Sequence, residues 1–191
     1  MTSRLVVTSN CDAKSSVAVD KQIQPNPFAS VQGFDHALLW GTPPVPSVPW
    51  DGRNVATEHK NILPELGGTR LMLVTYPPDS VTAVPGFDPA AARAEYLARL
   101  PGLAERFEPD NPGMHTTDSI DYVIVVDGEI SLELDERMVG PFQCGDIVVQ
   151  NGTRHAWRNR GNKPAKLVFV FVGAKRGREN LRNGAPVDSL E

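Results

Sequence analysis

Three side chains of this chain have the types and spacing to move a proton on a small molecule: His115, Asp121 and His155. An imidazole and a carboxylate facing one apolar cavity tune each other toward neutral pH, because desolvation and mutual charge pull both groups away from their solution values. Such a pair suits dehydration, decarboxylation of a β-keto acid, or keto–enol isomerisation. A single inward Asp can instead serve only to bond backbone amides at a sheet end, and a lone buried His is usually structural. Two His and an Asp drawn from separate strands fit that plainer role less well.

Strand alternation places these residues. Asp127-Gly128 between two β-rich runs reads as a two-residue hairpin, since both residues tolerate positive φ. Counting outward pairs Val126 with Glu129, Val125 with Ile130, Val123 with Leu132 and Asp121 with Leu134. Glu129, Ser131, Glu133 and Asp135 then face solvent, so Ile130, Leu132 and Leu134 face the interior and carry Val123 and Asp121 with them. The same parity extends to Thr117 and His115 in a straight strand, and a bulge before Ser119 would break it. In Thr153–Arg160 the alternation puts His155 and Trp157 on the apolar side. Trp157, Phe169 and Phe171 are candidates for the aromatic wall around a planar substrate, with core packing an equal alternative.

The elements that must hold this cluster are mostly strands. The pattern predicts strands over His115–Val126, Glu129–Leu134, Asp146–Gln150, His155–Asn159 and Lys166–Val172, preceded by one at Arg70–Tyr76 that stops at Pro77-Pro78. Asp88 caps a helix that starts at Pro89, runs to Leu100 and is stopped by Pro101-Gly102. Upstream, Arg4–Thr8 and Ser16–Val19 read as a hairpin that pairs with the main body, and Gln24–Trp50 as a Pro-rich wrapping arm with one strand at Asp35–Trp40. The expected organisation is an N-terminal arm over 1–69, a barrel over 70–174 and a polar tail over 175–191.

Composition narrows the function classes. The chain has 191 residues, a hydrophobic fraction of 40%, sixteen Gly and seventeen Pro, which suits one all-β domain of short strands and turns. A formal charge of −4 without a Lys/Arg run argues against nucleic acid as a partner. No apolar stretch reaches the length of a signal peptide or a membrane span, so a soluble, cytoplasmic protein with no membrane partner is expected. Cys11 and Cys144 form no ligand or disulfide spacing and read as reduced thiols. His36 and His59 are expected to be surface or structural, and Arg154, Arg158 and Arg160 to form a solvated outward cluster.

Two motifs in order resemble those of the cupin superfamily. His115-Thr116-Thr117, Asp121 and Gly128, with Tyr122 to Asp127 between the last two, match the spacing of the first motif, His-x-His, Glu, six residues, Gly. Gly145-Asp146, His155 and Asn159 match the second, with Asn151-Gly152 where the family usually has Pro-x-Gly, one residue shorter. The resemblance covers about Arg70–Val172 and implies an all-β double-stranded β-helix (cupin jelly roll) with an N-terminal arm and one inserted α-helix. In metal-binding cupins the motif positions hold Fe, Mn, Ni or Zn. Carried over by position, His115, Asp121 and His155 are the ligands, while Thr117 stands where the second His would be and is a poor one. The remaining two-His-one-carboxylate set can hold a non-haem Fe(II). A metal-free acid/base site and a cavity that only binds ligand stay open beside it.

The string His115-x-Thr117-x-Ser119-x-Asp121-Tyr122 is similar to a subgroup of small single-domain cupins often found among secondary-metabolite enzymes. The resemblance therefore implies a homodimer acting on a small-molecule substrate. The leading expectation is a lyase or isomerase of an oxygenated, polyketide-like acid or ketone. A non-haem Fe(II) dioxygenase and a non-catalytic ligand binder are the alternatives.

Overall fold

The computed structural model describes residues 3–58 and 61–177. The described strands are β1 (Arg4–Cys11), β2 (Lys14–Gln22), β3 (Asp35–Thr42), β4 (Thr69–Tyr76), β5 (Ser119–Asp127), β6 (Glu129–Glu133), β7 (Met138–Gln143), β8 (Ile147–Asn151), β9 (Ala156–Arg158) and β10 (Ala165–Gly173). A five-stranded sheet runs β3-β4-β10-β5-β8 and a three-stranded sheet runs β7-β6-β9, with β1-β2 forming a sheet of their own. The two larger sheets share one core of Val123, Val125, Ile130, Leu132, Trp157, Leu167, Phe169 and Phe171, which makes the fold an all-β jelly roll. Alternation is the cause. In β10 the residues Ala165, Leu167, Phe169 and Phe171 are buried while Lys166, Val168, Val170 and Val172 are only partly covered.

The pairing across Asp127-Gly128 differs from the hairpin expected there. Strand β5 hydrogen-bonds to β10 and β8, and β6 to β7 and β9, so the chain changes sheets at this point instead of folding back on itself. Gly128 is required there on two counts. Its φ is 72°, and a Cβ would lie 2.4 Å from the Pro164 carbonyl oxygen. The inward face is nonetheless the expected one, with Asp121, Val123, Val125, Ile130 and Leu132 all buried, because parity along a strand belongs to the pleat and not to the partner. Strand β7 was not anticipated, since Gly140 and Pro141 interrupt its run; the Gly140–Pro141 bond is cis.

The N-terminal hairpin exists but does not join the barrel sheets. It turns at Asp12 and Ala13, both at positive φ (51° and 61°), and its base is tied to the body by Lys166 Nζ donating to Ser3 Oγ at 2.8 Å. Strand β3, in contrast, pairs with β4 along its length, so the barrel takes its edge strand from the segment expected to be an arm.

A short helix α1 (Val55–Glu58) lies on β3, and helix α2 (Pro89–Arg99) packs Ala92, Tyr96 and Leu97 against the core. Asp88 caps α2 by accepting from the Ala90 and Ala91 amides at 2.9 and 3.0 Å, with Pro89 in its first turn, as the sequence predicts. At the other end of α2, Glu95 accepts from the Ala29 and Ser30 amides, and the Arg99 guanidinium lies 3.9 Å from the centre of the Phe28 ring while donating to the Asn26 and Pro27 carbonyls. These contacts clasp the 26–34 segment across the barrel mouth. His59 and tail residues 178–191 lie outside the described residues.

Candidate active site

The cluster is assembled where the two sheets meet. His115 precedes β5 and His155 precedes β9, and each donates its backbone amide to the other's carbonyl at 2.9 Å. This isolated antiparallel bridge, and not a continuous strand from His115, brings the two rings to a centroid separation of 4.4 Å. His115 Nδ1 lies 2.8 Å from the Gly113 carbonyl and His155 Nδ1 lies 2.9 Å from the Thr153 carbonyl. A carbonyl only accepts, so in the neutral rings Nδ1 carries the proton and Nε2 keeps its lone pair. Burial lowers the His115 imidazole below its ordinary range, and burial together with neighbouring His115 pushes His155 down to about 3.

Asp121 is 2% exposed and projects from β5 toward the same cavity. Ser119 Oγ lies 2.5 Å from Asp121 Oδ1 and 3.0 Å from Thr117 Oγ1. One hydroxyl proton serves one acceptor, so with the carboxylate ionised Ser119 donates to Asp121 and accepts from Thr117. Burial pushes the Asp121 carboxyl up to about 6, against the lowering bond from Ser119. Near neutral pH the site therefore holds two unprotonated imidazole nitrogens and a carboxylate poised to titrate.

The cavity has a volume of about 560 Å³. His115, Asp121, His155, Trp157, Phe169 and Phe171 all line it. Trp157 and Phe169 meet edge to face at 5.9 Å, and Phe169 stacks on Phe171 at 5.6 Å. Two residues expected in the pocket are not in its wall. Val123 is fully buried, and Phe169, its partner across the ladder, supplies the wall at that level. Thr117 is also fully buried, with its hydroxyl committed to Ser119 behind Asp121.

Much of the wall comes from outside both motifs. Phe34, His36, Met72, Tyr76, Tyr96 and Phe107 complete it, contributed by the arm, β3, β4, α2 and the segment that follows α2. His36 shares the inward parity of Leu38 in β3, a signal legible in the sequence; it is buried, and burial lowers its imidazole. Burial raises both the Tyr76 and Tyr96 phenols, so they stay protonated donors. The arginine cluster is not a free solvated face. Arg154 pairs with Glu108 and Asp135, and Arg158 bonds Glu133, Asn111 and the Pro112 carbonyl, pinning the loop before His115. Asn159 is buried and donates to the Tyr76 and Lys163 carbonyls, a structural lock between β4 and β9. Cys11 and Cys144 are exposed free thiols.

The side chains present do not fit a resident ion held by three donors. Among the described residues no three His, Cys, Asp or Glu groups come close enough to share one metal.

Two packed antiparallel sheets around an internal cavity define a jelly-roll barrel with buried His115, His155 and Asp121 in the cavity wall. Residues 105–171 match the family described as Cupin domain. A phomopsin biosynthesis cluster protein of Diaporthe leptostromiformis is 49% identical over 63 residues, covering 32% of this chain and 33% of that protein. A cupin-domain-containing oxidoreductase of Hypocrea virens is 35% identical over 65 residues, covering 32% of this chain and 34% of that protein. The matches thus span about a third of the length of these curated relatives. Among solved structures, a Cupin 2 conserved barrel domain protein from Salinispora arenicola superposes with a TM-score of 0.39 at 14% identity, over 78% of this chain and 88% of that one. Among the described residues no helix is long and apolar enough to cross a membrane.

Proposed function

We propose that this protein is a cupin lyase or isomerase that moves protons on an oxygenated acid or ketone of secondary metabolism. The observation that carries the reading is the pairing of two imidazoles, each with Nδ1 tied to a carbonyl and Nε2 left unprotonated, with a buried carboxylate in one aromatic cavity. In an enolisation, the Asp121 carboxylate, the stronger base beside the lowered His155, takes the proton from the carbon beside the carbonyl. The resulting enolate is reprotonated on oxygen or on another carbon by the group then protonated, so the sum is an isomerisation with no oxidant consumed. In a dehydration the same proton returns to the departing hydroxyl as water. The Tyr76 and Tyr96 phenols, held protonated, are the donors available in the wall for a developing oxyanion. The secondary-metabolic setting is supported by the phomopsin-cluster relative.

A second reading, an iron-dependent dioxygenase, is supported by the oxidoreductase name of the Hypocrea virens relative. It requires a third donor beside the His pair. The discriminating experiment incubates purified protein with a panel of enolisable aromatic and polyketide-type ketones and acids, with oxygen uptake and product mass both recorded. Products of unchanged mass, or mass reduced by one water or one carbon dioxide, without oxygen uptake support the proton-transfer reading. Fe(II)-dependent oxygen uptake overturns it, and binding without turnover across the panel indicates a ligand carrier.

A further inference from the structure

The charge inventory of the cavity wall narrows the substrate. Among the described residues, Arg93 and Arg158 are the only Lys or Arg side chains in that wall. Arg158 is already partnered within the protein: its Nε, Nη1 and Nη2 donate to Glu133, the Pro112 carbonyl and Asn111. Arg93 is exposed on α2, at the rim. The stretch of wall formed by His115, His155 and Asp121 therefore presents acceptors, two ring nitrogens with free lone pairs and a carboxylate, beside a neutral donor, the unpartnered Trp157 Nε1–H. An anion delivered there would meet lone pairs and negative charge in a poorly solvated site, with no cation to offset its lost hydration. A hydroxyl, an enol or an acidic C–H finds complementary partners at the same place.

Building on the proton-transfer reading, we infer that the group delivered to His115, His155 and Asp121 is an uncharged, donor-bearing one: a hydroxylated or enolisable ketone on a planar aromatic-sized body, and not a carboxylate. The aromatic wall of Trp157, Phe169 and Phe171 accepts the planar body, and a volume of about 560 Å³ leaves room for more than one ring. Of the reactions open to the site, isomerisation and dehydration survive this restriction, and decarboxylation of a bound carboxylate does not.

The test uses two ligands of the same bicycle, 1-hydroxy-2-acetonaphthone and 1-hydroxy-2-naphthoate, which differ in an acetyl group against a carboxylate. Calorimetric titration of the full chain at pH 7.5 should show the ketone binding at least about tenfold more tightly. Trp157→Leu should weaken the ketone. Equal or tighter binding of the naphthoate overturns the inference, as does naphthoate binding that Arg93→Ala abolishes, or no binding of either ligand. Because binding is read without turnover, a ketone that binds as expected but is never converted defeats the catalytic reading and leaves this one standing.

Discussion

Replacing Ser119 by Ala removes a donor that lies 2.5 Å from a carboxylate oxygen, with both residues buried. A hydrogen bond to a charged group contributes about 1.5–3 kcal/mol. At about 1.4 kcal/mol per unit, its loss should raise the Asp121 carboxyl by roughly one to two units above its value of about 6. At pH 7 the ionised fraction then falls from about nine-tenths to between a half and a tenth. If ionised Asp121 is the form that reacts, the rate at pH 7 should drop about 2- to 10-fold and recover by pH 9 to 10. Two assays read this independently: the pH–rate profile, and the carboxyl titration followed by infrared or carbon NMR with labelled Asp. Thr117→Val, which removes only the second bond of the chain, should shift the midpoint less. A carboxyl midpoint that stays put or moves down in Ser119→Ala would refute the assignment of Ser119 as the group that holds Asp121.

Further outcomes follow from the same contacts. His155 is held below its unfolded value, so its contribution to stability is complete above about pH 6.5 and is lost as pH falls toward about 3; His155→Asn should flatten the fall of the denaturation midpoint in that window, and an unchanged slope counts against it. Asp121 acts in the opposite sense: its folded pKa is raised, so its contribution is present below about 4 and lost as pH rises through about 6, and Asp121→Asn should therefore gain relative stability above pH 6. Gly128→Ala puts a Cβ against the Pro164 carbonyl in a positive-φ conformation; a loss of about 2 kcal/mol or more in chemical denaturation is expected, and wild-type stability would refute the close crossing. With no three donors gathered around one point among the described residues, purified protein should contain well under one metal per chain and chelator should leave its activity intact; stoichiometric metal lost in His115→Ala, Asp121→Ala and His155→Ala alike would reverse that expectation. The homodimer implied by the family resemblance predicts a sedimentation mass twice 20.8 kDa, and a monomer mass at micromolar concentration removes it.

Alternation along single strands was enough to decide which residues face inward. Asp121, His155 and Trp157 needed only the two-residue period of the pleat, and Asp88-Pro89 needed only the chemistry of a helix start, because each is a property of a few neighbouring residues. The same locality misled at Asp127-Gly128, where turn chemistry is identical for a chain that folds back and one that crosses to a second sheet. That choice was made by the close approach of Pro164, a residue 36 positions away in the chain. The His115–His155 contact, the commitment of Thr117 to Ser119, and the Phe34, His36, Tyr76 and Tyr96 side of the cavity were likewise decided only in three dimensions. They join segments far apart in sequence through backbone bridges and aromatic packing, and no local period encodes which distant partner a side chain will meet.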